Sequence, residues 1–573
     1  MSNILFIVPP EKSIFENPPV GSLLLATILK ENGLSSEILP LPELSNPDNF
    51  DTYLENIIKT IANKSPKIVS FYTRCDVYHI MLKISEKLKK QFGNTIVFGG
   101  PQSDIIARET IEAFPYVDYV CQGEGETTIV PFFTSLLEGK PDLTVPGLVY
   151  RQRGSVHQNE RPALITDLDA LPDIDYSIIG MSPENNANYI SVDIGRGCPF
   201  GCSYCSTSAF WGRKFRLKSP ERIRKEVESI NKTYGVSKFS FMHDMFTFNR
   251  KMITAICKEL KQLDFPITWS CSARIDCVDN EMIDLMVDAG MRNAYFGIET
   301  GSKRMQKLIH KNLNLDLVLP RMKYNQSKNI HSTASFIFGF PEETHEDLSQ
   351  TLYMISELAK LESVTVQTHL CAFLPGTELS SRYCKETVLA NYYSDISGSV
   401  GVNQCRDLIT AHPEVFPQFR EYQTELRKKL EHFTLFVNIW LVMQPVYQYI
   451  ADGYDKNHLI DMYFDFLEEN SKVLNECKDF QKNDQFSYLL KYDSFTDKKI
   501  PEDLKETVSE CRRMAIAQYS SNLSPGEETI EIFSFSPKEF QRGSDLTVYR
   551  KQPTIARYQK LKNGKVEIKI GEL

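Results

Sequence analysis

The sequence predicts an α/β protein with an amino-terminal doubly wound, Rossmann-like domain, a partial (β/α)6 barrel and a mostly helical carboxy-terminal domain. Three observations point there. Short β-rich runs alternate with amphipathic helical stretches from Asn3 to Cys121, and the same alternation resumes from Tyr189 to about Pro375. After Ser380 it gives way to longer stretches rich in Tyr, Phe and Glu. At 573 residues the chain is also too long for one ordinary core. The boundaries read as 1–150, a connector at 151–188, 189–380 and 381–573.

In order, Asn3–Val8 reads as a buried strand and Gly21–Asn32 as an apolar-striped helix stopped by Gly33. Strands at Ser36–Leu41 and Lys67–Tyr72 follow, with helices at Phe50–Ala62 and Val77–Phe92. Thr95–Phe98 then runs into Gly99-Gly100-Pro101, and Tyr116–Cys121 into Gly123-Glu124-Gly125-Glu126. Strands joined by helices of this length form right-handed βαβ units in a parallel sheet, and such sheets bind ligands at the carboxyl ends of their strands. Pro9, Pro10, Gly21, Gly99, Gly100, Gly123 and Gly125 lie at those ends, either for close ligand approach or simply as turn residues.

Pro162, Pro172 and Pro183, with the Asp167-Leu168-Asp169 run, mark the connector. Beyond it, strands ending at Ile194, Met242, Ser272, Ile298, Phe338 and Leu370 make six strand-helix units, short of a full eight-fold barrel. Pro417–Tyr449 and Asn457–Asp479 read as long helices, and Thr529–Phe535 and Lys565–Ile570 as late β-rich segments.

With 42% hydrophobic and 24% charged residues, wholesale disorder, collagen-like and coiled-coil classes are excluded. The net charge of −9 gives no global footprint for nucleic acid. Met1–Pro10 has no basic signal-peptide region, and the most apolar stretch, Phe433–Met443, falls short of a bilayer span, so no membrane association is expected. Thirteen cysteines with no secretory signal argue for reduced thiols and a cytoplasmic location.

Gly195-Arg196-Gly197-Cys198-Pro199-Phe200-Gly201-Cys202-Ser203-Tyr204-Cys205 places three cysteines in a C-x3-C-x2-C loop directly after a strand. Three thiolates on one short loop can hold three irons of a [4Fe–4S] cluster and leave the fourth open, or two or three of them with His243 can form a structural zinc site. Paired C-x2-C modules are the commoner zinc arrangement, and this segment has only one pair.

The C-x3-C-x2-C loop and its GRGCPFGCSYC context resemble the radical S-adenosylmethionine (radical SAM) enzymes. The resemblance implies a partial (β/α)6 barrel in which Cys198, Cys202 and Cys205 hold a [4Fe–4S] cluster. Its open iron binds S-adenosylmethionine, and one electron cleaves the sulfonium to methionine and a 5′-deoxyadenosyl radical. It further implies cofactor contacts at His243 or Asp244 after the second barrel strand, although the glycine pair often found there is absent. His243 can equally be a packed histidine. Ser272 and Arg274 would serve the third strand, Glu299 and Ser302 the fourth, and Gly339 and Pro341 the fifth, where a plain turn is the alternative.

The strand, proline pair and glycine loops of the first 150 residues, with FGGP at Phe98–Pro101 and DYVCQGEGE at Asp118–Glu126, resemble the cobalamin-binding domain that precedes many of these barrels. The resemblance implies corrin contacts at Pro10, Gly21, Gly99, Gly100, Gly123 and Glu124. Arg74 or Tyr78 would crowd the lower cobalt face, with surface hydrogen bonding as the alternative. None of the ten histidines sits in the D-x-H-x-x-G signature that supplies a cobalt ligand elsewhere. A corrin would therefore bind without a protein histidine, unless the domain has lost it.

Together these resemblances imply cobalamin-dependent methyl transfer to an unactivated carbon of a specialised metabolite or peptide, served by a reducing partner such as flavodoxin or ferredoxin. The alternative keeps the radical without methyl transfer: epimerisation, rearrangement or cyclisation. Cys371, at the end of the sixth strand, would be the hydrogen donor an epimerase needs, or else a small packed residue. A non-enzymatic sensor is the reading from another class, and the later strand motifs speak against it. The basic run Arg213, Lys214, Arg216, Lys218, Arg222, Arg224 and Lys225 is either a docking face for an anionic substrate or electron donor, or a solvated surface.

Overall fold

The computed structural model describes residues 2–11, 13–44, 49–390, 401–442, 444–470, 493–509, 528–533, 554–560 and 566–572. Cys477 and Cys511 lie outside them. The chain folds as two compact units, one of Met1–Tyr295, Ile309–Lys311 and Cys371–Tyr422, the other of Phe296–Leu308, Asn312–Leu370 and Gln423–Leu573.

The first unit opens with seven strands: β1 (Ile4–Val8), β2 (Ser36–Pro40), β3 (Ile68–Tyr72), β4 (Thr95–Gly99), β5 (Tyr119–Cys121), β6 (Leu148–Gln152) and β7 (Ser155–Gln158). Their order is β2-β1-β3-β4-β5-β6-β7, parallel through β5 and antiparallel beyond. All five residues of β1 are buried, as a strand covered on both faces requires. One face packs on the Phe50–Lys64 and Tyr78–Phe92 helices, the other on Val20–Glu31 and Ile129–Leu137. In Phe50–Lys64 the buried residues Phe50, Leu54, Ile57, Ile58 and Ile61 form a single apolar stripe at helical spacing. Strand order reverses between β1 and β3, which opens a crevice beyond their carboxyl ends.

Two features differ from the sequence reading. The sheet does not stop at residue 150: Arg153 and Gly154, both at positive φ, close a tight hairpin that adds β7 as the edge strand. In addition, Val402–Phe419 completes the core of this sheet instead of joining the carboxy-terminal helices. Phe416 and Phe419 are fully buried, with ring centroids 6.1 Å from Tyr78 and 5.4 Å from His79.

After β8 (Ile190–Asp193), β9 (Gly195–Arg196) pairs antiparallel with β10 (Arg216–Leu217). Then follow β11 (Lys238–Met242), β12 (Thr268–Ala273), β13 (Met291–Glu299), β14 (His331–Phe338) and β15 (Val364–Leu370). The second sheet runs β8-β11-β12-β13-β14-β15 in chain order, with parallel pairing at β8/β11, β11/β12 and β14/β15, the six-stranded partial barrel expected. Between β10 and β11, Ser219 caps the Pro220–Tyr234 helix by accepting from Arg222 N–H.

The stretch Pro417–Tyr449 is not one long helix. β17 (Arg420–Tyr422) pairs with β16 (Thr387–Leu389), and helices occupy Glu425–Lys429, Phe433–Val442 and Gln444–Ala451. The extended pairing of Arg420–Tyr422 takes those residues out of the helix, and Thr424 starts a new one by accepting from Arg427 N–H. Within the second unit Phe436 contacts Trp440, Tyr447, Tyr463 and Phe466, so Trp440 and Tyr447 are core aromatics. β18 (Glu528–Phe533), β19 (Thr554–Lys560) and β20 (Val566–Glu572) form an antiparallel sheet. No helix among the described residues is long and apolar enough to cross a membrane.

Candidate functional site: a three-cysteine loop joined to the first sheet

The β9/β10 pairing closes the excursion that carries Cys198, Cys202 and Cys205. A Cβ on Gly195 would overlap the Arg216 carbonyl, and one on Gly197, at φ +89°, the Lys214 carbonyl. Only glycine lets the two strands approach so closely. Asp244 Oδ2 accepts the Gly197 N–H at 2.8 Å, immediately before the first cysteine. Cys205 N–H donates to Cys202 O at 3.2 Å, and Ser203 N–H to Ile309 O at 3.0 Å.

All three thiols are half-buried. Burial pushes Cys198 up to about 11, and the nearby Cys205 and Cys202 push it the same way. Burial also raises Cys202, against the pull of Lys311. The Phe200 ring, between the first two cysteines, carries the Arg274 guanidinium 4.2 Å from its centroid and meets Phe248 at 5.8 Å. Arg274 is held in turn by Asp276, at 2.7 and 3.1 Å, and by the Lys311 carbonyl at 2.6 Å. Phe248, whose ring meets Phe200, keeps 47% of its surface exposed, and Met242, the last residue of β11, 45%.

His243 is a packed residue. Its Nδ1 accepts from Met245 N–H at 2.8 Å and its Nε2–H donates to Arg216 O at 3.1 Å, so neither nitrogen is left for a metal or an amino group. Burial lowers its pKa, which favours the neutral ring these bonds require. Ser272 lies half-buried on β12.

At the carboxyl edge of the first sheet, Thr73 Oγ1 bonds Ser103 Oγ at 2.8 Å and Gly99 O at 3.0 Å. Gly100, at φ +101°, sits so close to Thr73 N that a Cβ would lie 2.9 Å from it. Pro10 is half-buried and Gly21 exposed in the first turn of its helix. Arg74 pairs with Glu11 at 2.7 Å and Asp76 at 2.9 Å. Tyr78 cannot crowd a ligand: it is fully buried against Phe98, and its hydroxyl bonds Thr110 at 2.6 Å. Asp104 accepts the Gly123 N–H at 2.5 Å and pairs with Arg161.

Glu124 is also committed, to the protein itself. It accepts from Arg196 at 2.5 Å, Arg216 at 2.8 Å and Ile165 N–H at 2.6 Å. Although burial pushes its carboxyl up, the two arginines bring it below the usual carboxylate range. Arg196 also reaches Glu126 at 2.6 Å and Asp193 at 3.2 Å. The basic run is largely paired in the same way: Lys218 with Glu226, Arg222 with Asp173 and Glu226, and Arg224 with Glu228 and Glu259. Arg213, Lys214 and Lys225 of the run stay exposed.

In the second unit Glu299 is buried at φ +70°, a costly conformation for a side-chain-bearing residue. Ser302 donates to Asp347 at 2.5 Å and accepts from Met305 N–H at 3.2 Å, so its hydroxyl opens a helix instead of facing outward. Gly339, at φ +84°, donates its N–H to Glu343 at 2.6 Å, and Pro341 is buried. Burial raises the Glu343 carboxyl to about 8. Cys371, in the first unit, is buried directly after β15.

Family models match this chain at two places: the radical SAM superfamily over residues 192–355 and the B12-binding domain over residues 12–132. The chain belongs to the B12-binding radical SAM enzymes. This B12-binding radical SAM enzyme is 29% identical over 385 residues to an uncharacterized methyltransferase of Pyrococcus horikoshii, covering 66% of the chain and 82% of the relative. It is 27% identical over 274 residues to an anaerobic magnesium-protoporphyrin IX monomethyl ester cyclase of Cereibacter sphaeroides, covering 45% of the chain and 44% of the relative. A solved structure of the radical S-adenosylmethionine methyltransferase TsrM from Kitasatospora setae shares the fold at TM-score 0.58 and 16% identity, over 77% of this chain and 89% of that one.

The cofactors of this radical SAM enzyme are a [4Fe–4S] cluster, S-adenosylmethionine and cobalamin. The donor set fits the first of these: three half-buried thiols lie on one loop, with the Phe200 ring between the first two and Phe248 packed on it. Among the described residues no three His, Cys, Asp or Glu side chains gather around a single metal ion, and the ring nitrogens of His243 are already bonded. The switch point between β1 and β3 is where a parallel sheet of this order takes a ligand, and Pro10, Gly99 and Gly100 follow or end strands β1 and β4 on that side. Arg196, Glu126, Asp193 and Phe200 were not assigned roles from sequence. Arg196 and Phe200 lie within the cysteine motif itself, and Glu126 within the GEGE run, yet only the fold brings Glu126 and Arg196 together.

Proposed function

We propose that this enzyme transfers a methyl group to an unactivated carbon of a small metabolite or peptide, with Cys198, Cys202 and Cys205 holding the cluster. The observation that carries the reading is a C-x3-C-x2-C loop and a B12-binding domain on one chain, with the loop's Arg196 bonded to that domain's Glu124. When bound, the cluster and S-adenosylmethionine supply a hydrogen-abstracting radical, and cobalamin supplies the methyl group.

The chain's own residues bind, orient and exclude water. Asp244 fixes the Gly197 amide, Arg274 and Phe248 pack on Phe200, and the half-exposed Phe248 ring offers an apolar surface beside that residue. Pro10, Gly99, Gly100 and Gly123 line the edge proposed for the corrin, while Arg74 is pinned by Glu11 and Asp76. Ser272, Glu299, Gly339 and Pro341 are proposed for the S-adenosylmethionine side, and a flavodoxin- or ferredoxin-type protein is proposed as reductant.

The test uses S-adenosylmethionine labelled with a trideuterated methyl group. Reconstituted enzyme is incubated under reduction with fractionated cell metabolites and peptides, and products are read by mass spectrometry. A product carrying the labelled methyl group on carbon is expected. Production of 5′-deoxyadenosine with no labelled product, and a substrate changed only by hydrogen loss or inversion, would transfer the assignment to epimerisation or cyclisation. Cys371 would then be examined as hydrogen donor.

A further inference from the structure

Glu124 stands on the loop after β5, in the B12-binding part of the chain, and Arg196 two residues before Cys198. Their side chains are 2% and 9% exposed, and the contact is 2.5 Å. Arg216, from the strand that returns from the cysteine loop, reaches the other oxygen of the same carboxylate at 2.8 Å. One carboxylate thus clamps both ends of the cysteine excursion. Arg196 then extends the contact to Glu126 and Asp193, the latter at the end of β8. The Trp211 ring lies under both guanidinium groups, at 5.9 and 5.2 Å, so the planes of the two arginines are set as well as their tips. Arg216 Nε and Nη2 are buried without a hydrogen-bond partner among the described residues, so Glu124 supplies the carboxylate that this guanidinium faces.

We propose that Glu124 is a positioning residue: its double contact with Arg196 and Arg216 sets the cysteine loop in register with the cobalamin-side loop Gly123–Glu126. This role deepens the two-cofactor reading and rests on it. A corrin contact by the Glu124 carboxylate is replaced by a contact that holds the two cofactor loops together. Buried charge pairs of this kind are best used to fix one arrangement among several, because losing one partner leaves a buried charge uncompensated.

The test compares full-length enzyme with Glu124→Gln, Arg196→Lys, the double variant and the milder Glu126→Gln, all reconstituted with iron, sulfide and hydroxocobalamin. The first readout is amide hydrogen exchange of residues 119–126 and 195–217. Loss of the clamp in Glu124→Gln is expected to speed exchange in both segments together, by about a hundredfold, with the double variant no faster than the faster single. The second readout is the microwave-power saturation of the cob(II)alamin electron paramagnetic resonance signal with the cluster reduced. Iron and cobalamin contents are expected to stay at wild-type levels while the relaxation enhancement by the cluster changes.

Exchange that rises only in the segment carrying the substitution, or additive effects in the double variant, would overturn the clamp. Unchanged relaxation in both single variants would overturn its control of cofactor register. A wild-type protein that retains no corrin would instead defeat the two-cofactor reading, while the exchange data still decide whether the clamp exists. If Glu124→Gln does not fold, Glu126→Gln is read alone, with a smaller joint change expected and a change confined to its own segment counting against the clamp.

Discussion

At the carboxyl edge of the first sheet, polar side chains close on one another: Thr73 on Ser103, Asp104 on the Gly123 amide, and Glu124 on two arginines. On the cysteine loop the backbone is also held, by Asp244 and by the β9/β10 pairing, yet the three thiols and the Phe248 ring against Phe200 stay half-exposed. Both regions are tied down by hydrogen bonds, and they differ in what those bonds leave open. Side chains whose bonding capacity is already used serve as scaffold, and those left open on a fixed backbone are the ones suited to receive a cofactor. The same distinction separates Asp244, which holds an amide, from Cys198, and Tyr78, which is core, from Gly100 at the crevice.

The comparison breaks most sharply at the thiols. Replacing any one of Cys198, Cys202 or Cys205 by Ala is expected to remove the cluster and reduce S-adenosylmethionine cleavage to background. Iron analysis and 5′-deoxyadenosine assay check this, with cobalamin retention unchanged. On the scaffold side, Phe416→Ala should cost about 3–5 kcal/mol of stability in the first unit, because a fully buried ring is lost. Denaturant unfolding measures that loss, and reduced cobalamin retention should accompany it.

Glu343 gives a pH-dependent version of the contrast. Its carboxyl is raised from 4.5 to about 8, chiefly by burial, so the fold prefers the protonated form. The sign follows from linkage: the stabilising contribution is full below about pH 4.5 and is lost as pH rises through about 8. Wild type should therefore lose stability relative to Glu343→Gln between pH 5 and 8, by up to about 1.4 kcal/mol per pH unit. Parallel thermal melts of the two proteins would show it, and equal pH profiles would refute it. The smallest effect is expected at Tyr78→Phe, which removes the bond to Thr110 at a cost of about 1 kcal/mol. Cobalamin content should be unaltered, since Tyr78 belongs to the core.

Much of the architecture was legible in the sequence because hydrophobic periodicity is local. The barrel strands expected to end at Met242, Phe338 and Leu370 end there, and the Ser219-Pro220 helix start is where capping chemistry puts it. The exceptions depend on long-range contacts. Arg420–Tyr422 is extended only because Thr387–Leu389 pairs with it, and Val402–Phe419 is part of a core whose other members lie some three hundred residues earlier. The cysteine loop was legible because its spacing carries the chemistry. The commitments of His243, Ser302 and Glu124 were not, because a polar side chain's partner is decided by tertiary neighbours: Arg216 O for His243, Asp347 for Ser302, and Arg196 with Arg216 for Glu124.

The most direct test of the two-cofactor assignment is anaerobic reconstitution of the full chain with iron, sulfide and hydroxocobalamin. The ultraviolet-visible spectrum and the products of reductive S-adenosylmethionine turnover are then recorded. Retention of about one corrin per chain, with both S-adenosylhomocysteine and 5′-deoxyadenosine formed, is the predicted result. A protein that retains no corrin and forms only 5′-deoxyadenosine would contradict methyl transfer and leave a radical enzyme of another reaction type.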